Sequence, residues 1–172
     1  RVDLDPLVSV SNVDNASLYE RDQRNVPVFS DGSAYIITDI LSDNVARQGA
    51  FGPGSQLEIS GYKVAVKTGT TDSKKDNWTI GYTPEFLVTV WVGNNDNSPM
   101  NQALASGVTG AAPIWHRVME TLLKNYSTQN TWFNKPESVI GKPCFGGKVE
   151  YFLPGTENTT PCRMPATPTP LP

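Results

Sequence analysis

A chain of 172 residues, 38% of them hydrophobic, is long enough for one ordinary domain with its own core and too short for two large ones, so one domain with a tail is expected. The formal charge of −3, with Lys and Arg scattered rather than striped, gives no electrostatic support for binding nucleic acid or an anionic membrane. No run approaches the roughly 18 consecutive apolar residues of a membrane span, and Arg1 opens no charged-then-apolar signal pattern, so any anchor or export signal is expected outside this sequence.

In chain order, residues 1 to 30 consist of short extended segments around turns, and Leu7-Val8-Ser9-Val10 and Ala16-Ser17-Leu18-Tyr19 flanking Asp14-Asn15 predict a β-hairpin. Ser30 is an N-cap candidate, and Ile37, Ile40, Leu41 and Val45 recur at helical spacing before Gly49, which predicts one helix of about four turns. A Gly/Pro loop from Phe51 to Ser60 follows, then strand candidates at 62–67, 77–82 and 86–93. Thr83-Pro84-Glu85 joins the last two as a tight hairpin and the polar stretch Thr70 to Asp76 separates the first two, which together make an antiparallel meander and an α+β fold. A second helix is predicted near Pro113, with Trp115, Val118, Met119 and Leu122 on one face. Beyond Tyr126 the periodicity fades. The expected division is residues 1–126, a small loop-rich appendage over 127–164, and a Pro-rich extended linker over 165–172.

Cys144 and Cys162 lack the C-x-x-C spacing and neighbouring His of a zinc site. They sit where little core can form, so a disulfide that holds loops in an oxidising compartment is the favoured expectation, with two unpaired thiols as the alternative.

The run Tyr62-Lys63-Val64-Ala65-Val66-Lys67 ends in Lys67-Thr68-Gly69, followed by Thr70 and Thr71. Strand alternation places Tyr62, Val64 and Val66 on one face and Lys63, Ala65 and Lys67 on the other, where they suit the wall of a cleft. Lys67 presents a cation to a carboxylate, the Thr68 and Thr70 hydroxyls can bond the same anion, and Gly69 removes a Cβ where a ligand backbone approaches. Alone, K-T-G is a short match that a surface strand ending in a turn also explains.

From about Tyr35 to Tyr126, however, the chain resembles the C-terminal part of the transpeptidase domain of class A (bifunctional) penicillin-binding proteins. The resemblance is carried by Thr38 to Arg47, Val66-Lys67-Thr68-Gly69-Thr70-Thr71, Asn77-Trp78-Thr79-Ile80-Gly81-Tyr82-Thr83-Pro84, Val90-Trp91-Val92-Gly93-Asn94-Asn95-Asp96 and Gly107 to Trp115, in the family's order and spacing. It is weak over residues 1 to 30 and the tail, although Tyr151-Phe152-Leu153-Pro154-Gly155-Thr156 also resembles the family's C-terminal appendage. The resemblance implies part of a penicillin-binding protein/serine β-lactamase-like transpeptidase fold, an antiparallel sheet packed by helices. It implies a D,D-transpeptidase on the extracytoplasmic face of a bacterial membrane that cross-links peptidoglycan stem peptides through an acyl-serine intermediate, is acylated by β-lactams and needs no cofactor or metal. By the same resemblance Lys67 and Thr70 are catalytic, Thr68, Gly69, Thr70 and Thr71 bind substrate, and the Thr70 amide shares the oxyanion hole.

Two motif matches depart from the family pattern. Ser60-Gly61-Tyr62-Lys63 fits S-x-x-K as text but runs from a loop into a strand, whereas the motif should open a helix so that serine and lysine share a face. Ser42-Asp43-Asn44 spells S-D-N but lies too close before Lys67, and a polar helix end explains it better. The nucleophile and a membrane anchor are therefore expected in an N-terminal remainder of the parent protein, and this chain alone is expected to be inactive. A non-catalytic peptidoglycan-binding or structural module and a serine β-lactamase fragment stay open as alternatives. His116, the single histidine, has no Ser or Cys at triad spacing and is expected to be structural or solvated. Asn94-Asn95-Asp96-Asn97 lacks the glycine and distal glutamate of a calcium loop and is expected to be a turn. Trp78 and Trp91 are expected to pack the sheet, with an aromatic bordering the substrate cleft near Lys67 as the alternative.

Overall fold

The computed structural model describes residues 7–21, 27–101, 109–128, 131–144 and 148–158. Its centre is an antiparallel three-stranded meander, β3 (Ala65–Thr70), β4 (Asp76–Tyr82) and β5 (Leu87–Gly93), in the order β3-β4-β5. Val66 pairs with Gly81 and Gly81 with Val88, so these residues share one face, on which Val64, Val66 and Val88 are buried. Helix α3 (Ala111–Tyr126) covers that face with Ala112, Trp115, Met119 and Leu123. Val118, placed inward by the sequence pattern, is instead 42% exposed, because the stripe follows 112, 115, 119 and 123.

Gly81 is what lets the helix lie so close. A Cβ there would stand 2.3 Å from Trp115 Cζ2, inside any real contact distance, and Trp115 itself is fully buried. The loop over residues 52–64, before β3, also supplies the core: Leu57 and Ile59 are buried although their Gly/Pro surroundings predict only a connection.

The single helix predicted from Ser30 is two. Ser30 caps α1 (Asp31–Ser42) by accepting from the Ser33 amide at 3.1 Å. Asp43 then turns extended, and its carboxylate accepts from Ala46 N–H at 2.9 Å to start α2 (Asn44–Phe51). The apolar spacing does not mark the buried side either. Ile37 and Ile40 are 54% and 60% exposed, and the buried side of α1 is Gly32, Tyr35, Thr38 and Ser42. Hydrogen bonds make that polar face compatible with burial: Thr38 Oγ1 lies 2.8 Å from Tyr82 Oη and donates to the Ala34 carbonyl, and Ser42 Oγ donates to the Asp39 carbonyl.

The predicted N-terminal hairpin is present as β1 (Ser9–Ser11) and β2 (Ser17–Glu20), exposed throughout. After α3, a second hairpin, β6 (Ile140–Pro143) and β7 (Val149–Phe152), seats against α1. Tyr151 meets Tyr35 edge-on at 5.4 Å, and burial, followed by their hydrogen bond, pushes the Tyr35 hydroxyl up to about 12. Phe133 reaches back to β4, where it meets Tyr82 at 6.0 Å, and Trp132 meets Phe133 edge-on at 5.2 Å. Cys144 is disulfide-bonded; Cys162 and the 165–172 linker lie outside the described residues. Among the described residues no helix is long and apolar enough to cross a membrane.

Gly81→Ala is expected to lower the free energy of unfolding by about 1–3 kcal/mol, measured by urea denaturation, because the added methyl drives Trp115 off the sheet. A second expectation concerns Asp43, whose carboxylate meets Lys148 Nζ at 2.5 Å. Burial alone would raise its pKa, but the Lys148 ammonium and the Ala46 amide outweigh burial and hold it below the ordinary value. A depressed folded pKa stabilises fully above the unfolded value, about 3.9, and the contribution is lost as pH falls through the folded value. Melting Asp43→Asn beside the wild type should show a constant gap above about pH 5 that closes below about pH 4.

Candidate active site

Lys67-Thr68-Gly69 lies inside β3, not at its end, because the strand runs three residues later than the sequence pattern predicts. β3 is the outer strand of the meander, so one backbone edge of this segment is unpaired by the sheet. Ala65, expected on an open wall, is fully buried, and β3 packs there against α1. Lys63 is committed elsewhere: Nζ pairs with Asp39 at 3.1 Å and sits 4.7 Å from the centre of the Trp132 ring. Lys67, also exposed, makes neither contact, and its ammonium donates to the Thr68 carbonyl at 2.6 Å.

Gly69 faces Trp78 across the sheet, where an added Cβ would meet Trp78 Cβ at 3.8 Å, an ordinary contact. Nothing within the fold demands glycine there. Thr68 and Thr70 share the opposite face of β3, paired with Thr79 and Asn77. Thr70 is exposed, and its hydroxyl accepts from Asn77 Nδ2 at 3.0 Å. Asn77 is fully buried, and its Oδ1 accepts from the Ala111 amide at 2.7 Å, so it caps α3 from a neighbouring strand. The sequence pattern did not single Asn77 out for this role. Its only signal is a polar residue at an inward strand position.

Thr71, just beyond β3, does not share this arrangement. Its hydroxyl donates to Asp76 Oδ2 at 3.1 Å and accepts from the Asp76 amide at 2.9 Å. The other Asp76 oxygen accepts from Trp91 Nε1 at 2.9 Å, and Trp91 stands 6.4 Å from Trp78, so a carboxylate and two indoles fix the turn after the K-T-G segment. Ser73 and Lys74 hold positive φ within that turn.

A cleft of about 270 Å³ lies between Lys67 and Thr68 on β3 and Ile40, Arg47 and Phe51 on the helices. Arg47 reaches the carbonyls of Leu41, Asp43 and Leu57, and burial pulls its pKa below the ordinary value. It clamps the cleft wall and was not marked by the sequence. Ser60 sits in a turn before Gly61, whose φ is +84, and starts no helix. Ser42 hydroxyl is bound to the Asp39 carbonyl at the α1 end. His116 Nδ1 lies 3.1 Å from the Gln56 carbonyl, a contact that holds α3 to the loop before β3. Residues 94–97 form a turn closed by Asn97 N–H to the Asn94 carbonyl at 2.9 Å.

Residues 5–120 match the family model described as the penicillin-binding protein transpeptidase domain. Penicillin-binding protein 1A of Neisseria lactamica is 31% identical over 164 residues, 95% of this chain and 18% of the relative. That of Pseudomonas aeruginosa is 37% identical over 94 residues, 54% of this chain and 11% of the relative. The crystal structure of penicillin-binding protein 1A from Haemophilus influenzae superposes with a TM-score of 0.66 at 20% identity, covering 88% of this chain and 29% of that one. The chain thus spans less than a fifth of the length of these sequence relatives.

Asp76→Ala is expected to free both Thr71 and Trp91, costing about 2 kcal/mol of stability in urea unfolding together with a shift of the Trp fluorescence maximum.

Proposed function

This chain belongs to the penicillin-binding protein transpeptidase domain family, and we propose that it supplies one wall of a peptidoglycan D,D-transpeptidase site, with the serine nucleophile provided by polypeptide outside these 172 residues. The observation that carries this reading is the Lys67-Thr68-Gly69-Thr70 segment, exposed at Lys67, Gly69 and Thr70, on the outer strand of a matching fold and next to a cleft, while Ser60 lies in a turn that opens no helix and the Ser42 hydroxyl is bound to the Asp39 carbonyl. The uncovered apolar side chains of α1 and of the outer sheet face, Ile37, Ile40, Trp78 and Ile80, support the view that further polypeptide packs here.

In this reading the serine attacks the carbonyl before the terminal residue of a stem peptide, the terminal amino acid leaves, and an amine of a second stem peptide takes the acyl group. A β-lactam enters by the same attack, its ring amide bond opening. The Lys67 ammonium supplies the positive field, and the Thr68 and Thr70 hydroxyls hold the terminal carboxylate. The Thr70 amide contributes to the oxyanion hole, where each donor lowers the barrier by about 3 kcal/mol. Gly69 lets the extended substrate lie against the strand. The chemistry is acyl and proton transfer, which requires no cofactor. Stem peptides place the site on the extracytoplasmic side of a bacterial membrane, with any anchor in the remainder of the parent.

Lys67→Ala in the intact parent is expected to slow penicillin acylation by about a hundredfold or more with an unchanged melting temperature, since the side chain is exposed. Intact-mass measurement after penicillin treatment should place the adduct on the parent outside residues 1–172. An adduct on the 172-residue chain by itself would overturn the assignment.

A further inference from the structure

We infer that Asn77 is a positioning residue that fixes the direction of the Thr70 hydroxyl, turning its proton out toward the carboxylate of an incoming stem peptide or β-lactam. The inference rests on the reading of Thr70 as a carboxylate-binding hydroxyl and goes beyond it by naming what makes that hydroxyl a donor.

Which atoms can donate fixes the direction of each bond. Ala111 presents a backbone N–H, which only donates, so the Asn77 atom 2.7 Å from it is the carbonyl oxygen. The amide orientation is thereby settled, and Nδ2 faces Thr70 Oγ1 at 3.0 Å. An amide nitrogen cannot accept, so Thr70 Oγ1 does, and its own proton points away from Asn77. Thr70 is exposed, whereas Asn77 has no exposed surface and no water to exchange with. The carboxamide also lies close against the start of the helix: a Cβ on Gly110 would stand 2.7 Å from Asn77 Oδ1, so the residue ahead of Ala111 must be bare for Asn77 to fit. Ala111 N–H, the Asn77 carboxamide and the Thr70 hydroxyl thus form a chain of donors running in one direction from the buried helix start to the exposed strand, and each bond polarises the next. A carboxylate meeting the last member finds a hydroxyl already oriented, without competition from an inward hydrogen bond.

The test uses the full-length parent and second-order acylation rates for a penicillin bearing its free carboxylate and for its methyl ester. Asn77→Asp keeps an oxygen for Ala111 N–H but offers only an acceptor to Thr70, so the hydroxyl proton turns inward. The acid-to-ester rate ratio is expected to fall about tenfold, the loss of one charge-assisted hydrogen bond, while the ester rate changes less than about twofold. A purely structural role would slow both ligands alike and leave the ratio unchanged, which overturns the inference. Thr70→Val tests the underlying reading: it should collapse the ratio by itself, and an unchanged ratio there overturns the role of Thr70 and this inference with it. If Thr70→Val lowers the ratio and Asn77→Asp does not, the inference alone is wrong. In the Thr70→Val background, adding Asn77→Asp should move the ratio less than about twofold, whereas a further fall means that the new charge acts on the ligand directly, against the inference. Asn77→Ala serves if the Asp variant does not fold. It frees the hydroxyl to rotate and should lower the ratio about threefold, and no change there also overturns the inference.

Discussion

The contact on which the rest of the structure depends is the indole of Trp115 lying on the bare backbone of Gly81. It sets the distance of α3 from the sheet, and that distance decides whether the first turn of α3 can reach β4. Because Ala111 and Ala112 are small and fully buried, the helix start comes close enough for Asn77 to accept from the Ala111 amide. The same asparagine reaches Thr70. Core packing and the exposed strand edge therefore meet at one residue, Asn77, which holds the start of α3 with one end of its carboxamide and Thr70 with the other.

The helical layer on the other side is held differently. Its inward side is polar and hydrogen-bonded, with Thr38 on Tyr82 and Arg47 on three backbone carbonyls, and Lys63 pairs with Asp39 at its exposed rim. Such contacts give direction more than energy, because each replaces a bond to water. Asp43 joins three of these elements: it ends α1, caps α2 and pairs with Lys148 of the C-terminal hairpin. The appendage is thus tied to the same helix junction that borders the cleft.

Much of the scaffold was legible in the sequence and part of the site was not, for physical reasons. The meander and its tight turn show through because alternation and Thr83-Pro84-Glu85 are local signals. α3 shows for the same reason. The slip of the first strand to Ala65–Thr70 was hidden because Tyr62 to Val64 alternates as well as a strand does, while its actual pairing depends on β4. The inward side of α1 misled because apolar periodicity reports which face can be buried and not which face finds a partner; Ile37 and Ile40 are at helical spacing yet exposed. Leu57 and Ile59 enter the core from a loop that has no period. Asn77 could not be recognised from its neighbours, since its two partners lie on a different strand and a distant helix.

The glycines separate what the fold requires from what it leaves open. Gly81 must clear Trp115, Gly93 must clear the Trp91 ring, and Gly110 must clear Asn77; at each an added Cβ would stand under 3 Å from another atom. Gly69 has no such neighbour: the nearest contact would be 3.8 Å, and its backbone does not hold a positive φ. Lys67 beside it spends its ammonium on the carbonyl of the next residue, a bond that any carboxylate can displace because a charged acceptor is the stronger partner. At Gly69 and Lys67, then, internal packing does not choose the residue type. What remains to choose it is whatever lies against the open edge of β3, and an extended peptide ending in a carboxylate meets both conditions.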